Sequence, residues 1–100
     1  MSDDQKYLSQ LPQWTTEHAN ALGIEIDIQV VGEHLEVLLL ARDFYGSYGF
    51  SPSMRPLCKT ISAGLGVSKG RSIYLNQLFP GSPAKIVAYL AGLPKPKNCL

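Results

Sequence analysis

After Asp43 the chain holds no acidic residue at all. Its eight Asp and Glu residues all fall in residues 1–43, where only Lys6 and Arg42 oppose them, a balance of −6. Residues 44–100 carry seven bases, a balance of +7, so the net charge of +1 conceals two halves of opposite sign. Two readings of that asymmetry stand side by side: an anionic partner for the basic half, or attraction between the halves inside one fold. Cysteine is scarce too. The two thiols, Cys58 and Cys99, do not make the disulfide framework of a small secreted domain, and a cytosolic setting would keep them reduced. No apolar run approaches the ~20 residues that span a bilayer, and the polar, acidic residues 1–6 are not a signal peptide. The expected location is cytoplasmic, with no membrane partner. His18 and His34 are far apart and have no Cys or His at ligand spacing, so no metal site is expected. A P-loop, a dinucleotide fingerprint and a Ser/His/Asp signature are all missing, and no cofactor is expected.

What is present suits one domain with one core. The chain has 100 residues, of which 45% are apolar. Thr15 or Thr16 can cap a short helix reaching about Leu22, with Glu17 in its first turn and Gly23 as its stop. Trp14, just before that cap, can staple onto it, and Tyr7, Leu8 and Leu11 are docking points for the N-terminal segment. Residues 24–30 alternate strictly between apolar and polar, the pattern of a half-buried strand. A helix from Glu33 to about Tyr48 holds Val37, Leu38, Leu39, Leu40 and Ala41, apolar on every side, and is expected to be central and largely buried. Ser51-Pro52 reads as the start of a third helix, whose apolar face is Met54, Leu57, Cys58, Ile61 and Leu65, with Pro56 delaying or kinking its first turn. Ser68 can cap a fourth helix over roughly 70–78. The fold class expected is mainly α: a small orthogonal bundle of about five helices with one short β segment and a flexible C-terminal arm.

The C-terminal stretch is the most pointed. Ser82-Pro83 reads as an N-cap and first helical residue, and Gly92 as the left-handed residue that closes that helix. Leu93-Pro94-Lys95-Pro96-Lys97 cannot continue a helix, because each proline lacks a donor and pushes its predecessor toward extended geometry. The expected division is a helical domain over residues 1–92 and a mobile arm over 93–100 that carries Cys99 as the penultimate residue. Cys58, on a core face, reads as a small buried hydrophobe. Cys99 reads as the reachable thiol. Lys95 and Lys97 favour its thiolate, and the terminal carboxylate opposes them.

This stretch also resembles the C-terminus of the DsrC/TusE family of sulfur-relay proteins. The resemblance is carried by Leu78-Phe79-Pro80, Pro83-Ala84-Lys85, Ala91-Gly92-Leu93-Pro94-Lys95-Pro96 and the penultimate Cys99. It extends upstream through Arg42-Asp43-Phe44-Tyr45, Ser51-Pro52, Arg55, and Lys69-Gly70 with Ser72, Tyr74 and Leu75. The family implies a persulfide on Cys99, the one residue doing covalent chemistry, with a protein persulfide as donor and no cofactor. Members that cycle through an internal disulfide have a second Cys eleven residues before the penultimate one. That position is Ala88 here, so a single-thiol, TusE-like sulfurtransferase is the closer match. The resemblance implies an upstream relay protein as donor and a tRNA 2-thiouridylase with its bound tRNA as acceptor. A DsrC-like partnership with sulfite reductase in sulfur oxidation is the alternative. Arg55 and Lys85 are expected to form a basic rim for Cys99, with Lys95 as a further supporting cation. Lys85 sits near a helix start, where the dipole disfavours it. A rival class is a helix-turn-helix nucleic-acid binder using Lys59, Lys69 and Arg71, although residues 71–76 offer few base-reading side chains.

Overall fold

The computed structural model describes residues 6–97. Cys99 therefore lies outside the described residues. A 3₁₀ turn at Leu8–Gln10 is followed by five α-helices: α1 Thr16–Glu25, α2 Gly32–Tyr48, α3 Met54–Leu65, α4 Ser72–Leu78 and α5 Pro83–Leu90. The mainly α, five-helix expectation holds. Among the described residues there is no strand.

The missing strand has a local cause. Thr15 caps α1 through its hydroxyl, which accepts the His18 N–H at 3.2 Å, while His18 Nδ1 accepts the Thr15 N–H at 3.3 Å. The helix then runs past Gly23 and absorbs Ile24 and Glu25, the first residues of the alternating segment. The chain reverses at Asp27, which has φ 63°, and the Ile28 N–H returns to the Gly23 carbonyl at 2.8 Å. Asp is among the few residues that tolerate that left-handed conformation. Gly23 is thus not a stop signal but a contact point. A Cβ there would lie 2.6 Å from Ile28 O and 2.8 Å from Val30 Cγ2. With no partner strand among the described residues, Ile24 and Ile26 stay exposed.

A second correction concerns which helix is central. α2 buries Val37, Leu38 and Ala41, but Leu39 is 52% exposed. The helix that packs against all four others is α5, through Ala84, Val87, Ala88 and Leu90. Its residues alternate small and large, which lets neighbouring helices approach closely. Leu57 and Ile61 of α3, Leu75 of α4 and Phe79 complete the core, all fully buried.

The ends of α3 and α4 also shift from expectation. α3 begins at Met54, two residues beyond Ser51-Pro52, and its first bond is Leu57 N–H to Ser53 O at 2.9 Å. Pro56 is therefore the third helical residue, where its missing N–H has no intrahelical acceptor to lose. α4 begins at Ser72, with Arg71 at the cap position. Ser68 does not cap it; residues 67–70 form a turn. α5 starts at Pro83 as the sequence predicts, but the Ser82 side chain makes no cap bond.

Candidate functional site

The C-terminal end of α5 is where the molecule concentrates its side-chain-to-backbone bonds. The last four carbonyls of any helix lack intrahelical partners. Here each is accounted for. Val87 O accepts Ala91 N–H at 2.8 Å, Tyr89 O accepts Gly92 N–H at 3.3 Å, and Ala88 O accepts Leu93 N–H at 2.9 Å. The last two bonds make a Schellman motif, and Gly92, with φ 71°, supplies its left-handed residue as predicted. Leu90 O accepts the Trp14 indole N–H at 2.8 Å. The next carbonyl, Ala91 O, accepts Arg42 Nη1 at 2.7 Å.

Arg42 and Trp14 also bear on each other, with the guanidinium carbon 4.7 Å from the indole ring centroid. Burial draws the Arg42 pKa down from its ordinary value. Its cation nonetheless sits at a helix C-terminus, where the dipole favours it. Gly92 lies against this pair: a Cβ would come within 2.8 Å of Trp14 Cδ1.

Over residues 93–97 the chain stays on the body. The Schellman turn folds Leu93 back so that it is buried. The buried Ser51 hydroxyl donates to Pro94 O, and Pro96 is buried as well. Ser51 does not start α3 as its place before Pro52 predicts; its hydroxyl instead holds the departing chain.

This course brings Lys95 back toward α5. Lys85, Ala88 and Tyr89 share one face of that helix by their i, i+3, i+4 spacing. Together with Leu93 and Lys95 they line a groove of about 310 Å³. Among the described residues, two cations and no carboxylate line it. The Tyr89 hydroxyl donates to Glu25 Oε1 at 2.8 Å, and this bond, followed by burial, raises the tyrosine pKa. Ala88, where the resemblance to the family implies the second thiol of two-cysteine members, lines the same groove. Arg55 is exposed in the first turn of α3 and does not line it.

The remaining candidates fall outside the groove. Cys58 is half-buried in α3, and burial raises its thiol pKa, which disfavours the nucleophilic thiolate. Lys69 pairs with Glu36 at 3.2 Å, and that hydrogen bond raises the lysine pKa. Asn76 spends its amide on Ser72 O at 3.0 Å, within α4. The helix-turn-helix reading therefore loses two of its polar contacts to internal bonds. His34 Nδ1 accepts the Val31 N–H at 3.2 Å, and its Nε2 lies 3.0 Å from Leu78 O. Both histidines thus serve helix starts.

Sequence reasoning passed over Trp14, Arg42, Ser51 and Tyr89 as site-building residues. One signal was present: an arginine directly after the apolar run of residues 37–41 must find a buried acceptor or reach solvent. Its acceptor is 49 residues away, which periodicity cannot reveal.

Comparison with known proteins decides the family. A model of the family described as DsrC like protein matches residues 1–100. The chain is 43% identical over 99 residues to a protein named sulfurtransferase TusE homolog from Haemophilus influenzae, covering 99% of this chain and 91% of that one.

The chain belongs to the DsrC/TusE family.

Other DsrC/TusE relatives agree. The sulfurtransferase TusE of Salmonella choleraesuis is 39% identical over 99 residues, again covering 99% of this chain and 91% of its own. Among solved structures, the NMR structure of Allochromatium vinosum DsrC superposes with a TM-score of 0.79 at 35% identity, covering 88% of this chain and 79% of that one. The crystal structure of the oxidized gamma-subunit of dissimilatory sulfite reductase from Archaeoglobus fulgidus gives 0.74 at 30% identity, covering 100% and 90%. The resemblance read from the C-terminal motif is therefore sound, and it extends to the fold.

Proposed function

We propose that this protein is a sulfur-relay protein that accepts persulfide sulfur on Cys99 and passes it to an acceptor protein in tRNA 2-thiouridine synthesis. The Cys99 thiolate attacks the outer sulfur of a donor persulfide. The donor's S–S bond breaks, the donor leaves as a thiolate, and Cys99 holds the new S–S bond. An acceptor thiolate repeats the step in the second half of the relay and regenerates the Cys99 thiolate. Each step exchanges one S–S bond for another, so no external oxidant or reductant enters.

One observation supports this reading above the rest. Among the described residues, Ala88, eleven before Cys99, lines a groove with Lys85 and Lys95 and no acid, while Glu25 bonds the hydroxyl of its Tyr89 from outside. Where two-thiol relatives place their second sulfur, this protein offers an apolar floor between two cations. That is suitable ground for a terminal persulfide anion, which needs positive charge and little water. Arg55, outside the groove, fits better as a contact to the incoming partner than as a ligand of the sulfur.

The names of the solved neighbours favour a second reading, partnership with a sulfite reductase. Ala88 counts against a mechanism that needs two thiols in one chain. Incubation with a persulfide donor tests the proposal: the intact mass should gain one sulfur atom. Cys99→Ser should abolish the gain, and Cys58→Ser should not. Loading of Cys58 in its place would refute the site. Transfer to a purified thiouridylase, with no transfer to a sulfite reductase, would separate the two pathways.

A further inference from the structure

We infer that Trp14, Arg42 and Ser51 are positioning residues for the transfer reaction: together they fix the direction in which the thiol-bearing end leaves α5. The inference rests on the reading that Cys99 works at the Lys85–Lys95 groove.

Three successive grips act on the chain as it leaves the helix. Trp14 holds the carbonyl of Leu90, Arg42 that of Ala91, and Ser51 that of Pro94. The holders come from the segment before α1, from α2 and from the α2–α3 connection, separated from their acceptors by 76, 49 and 43 residues. None is a neighbour in sequence, so the exit is tied to the whole bundle and not to α5 alone. Gly92 would otherwise be a free pivot, since glycine visits both signs of φ without cost. The packed Trp14 ring and the guanidinium stacked on it fill the space into which that pivot would swing.

Stabilising a helix end does not require such an arrangement. Water or one flexible lysine satisfies exposed carbonyls elsewhere. A stacked, planar arginine keeps a single orientation, and a lysine does not. What three grips add is a shorter free tether. Held at Pro94, the chain to Cys99 is a five-residue tether; released at Gly92 it is a seven-residue one, with an open hinge. The effective concentration of a tethered group falls as slack grows and falls further when direction is lost.

A disulfide equilibrium measures that concentration directly and involves no sulfur transfer. In a Cys58→Ser, Ala88→Cys background, the introduced thiol and Cys99 give up two electrons and two protons to glutathione disulfide. One protein disulfide and two glutathione thiols result. The constant for that closure is the readout. Arg42→Met and Ser51→Ala should each lower it by about twofold or more, the loss expected when a tether lengthens from five residues to seven and also loses direction. Ser51→Thr keeps the hydroxyl and should restore the parent value. Arg42→Lys keeps a charged donor without the stack and should restore only part. Ile61→Val, a core change in α3, should lower the melting temperature and leave closure unchanged, which a purely structural role for the three residues would not produce. Closure equal to the parent in both Arg42→Met and Ser51→Ala overturns the inference, as does a background protein that closes no disulfide. Should Arg42→Met fail to fold, Ser51→Ala, which removes one oxygen, decides alone. If Cys99 takes no sulfur in the unmodified protein, the relay reading fails while the closure result stands on its own.

Discussion

Of the two thiols, the one whose surroundings the structure describes is Cys58. Cys58 packs against the core and is held toward its protonated form by burial. Its folded pKa lies above its unfolded one. The proton it retains therefore stabilises the fold fully below the unfolded value, about 8.5, and that contribution is lost as pH rises through the folded value. Iodoacetamide at pH 8 should label Cys99 at least about tenfold faster than Cys58, since thiolate and access both favour it. Denaturant should bring the two rates together. Peptide mapping of the labelled protein checks both statements, and rapid labelling of Cys58 in the folded protein would contradict them. The cations can be separated in the same assay. Lys85→Gln with Lys95→Gln should shift the alkylation profile of Cys99 to higher pH. Arg55→Gln should leave it nearly unmoved, because Arg55 does not line the groove. An equal shift from Arg55→Gln would return that residue to the rim expected from the sequence.

At the scale of the element, what could be read in advance was what a few neighbouring residues decide. Pro83 and Gly92 bound the last helix as expected, because a preset φ and a left-handed glycine are local physics; the Ser82 side chain makes no cap bond. Ser51-Pro52 carries the same local signal, yet α3 begins two residues later, and the Ser51 hydroxyl bonds Pro94 O, 43 residues on. The alternation of residues 24–30 failed for a related reason. Alternation states what a strand would bury, not whether a partner strand exists. The groove itself was half legible: Lys85 and Lys95 were marked by the family motif, but the backbone turn that unites them depends on Trp14 and Arg42. Two stability measurements follow. Gly23→Ala should cost about 1–3 kcal/mol in urea unfolding, the range for overpacking a filled site, since Ile28 O stands where the new Cβ would go. Truncation should discriminate within the C-terminal segment. Loss of residues 98–100 should leave the melting temperature nearly unchanged. Loss of 93–100 should cost about 2–3 kcal/mol, because it exposes the Leu93 site and undoes the Ala88–Leu93 bond. Equal melting temperatures for both truncations would show that the segment contributes nothing to the fold.

Among the described residues, the two charged halves are largely unneutralised by direct pairing. Among the described residues, the ion pair that joins them is Lys69–Glu36, with both partners partly exposed. A pair of that kind contributes little to stability. Attraction between the halves through ion pairs is therefore a small part of what the asymmetry does, and the reading of an anionic partner gains. Arg55, Lys59, Lys85, Lys95 and Lys97 are drawn from a stretch of 57 residues without one acid. Charges of one sign on a surface steer an oppositely charged partner at long range, and salt suppresses that steering once the Debye length falls below the encounter distance, ~10 Å at 0.1 M and ~3 Å at 1 M. Sulfur transfer between proteins should accordingly slow as salt rises, through the association rate and not through the chemistry. The measurement is kcat/KM for transfer from a donor protein across a sodium chloride series, set beside loading of Cys99 by an uncharged small persulfide. The protein donor should lose at least about tenfold between low and high salt, the scale of steering effects, while the small donor should change little. Lys85→Gln with Lys95→Gln should flatten the salt dependence of the protein donor. A protein-donor rate indifferent to salt would mean that the basic half is a solvated surface, and that the partner recognises this fold through its apolar contacts alone.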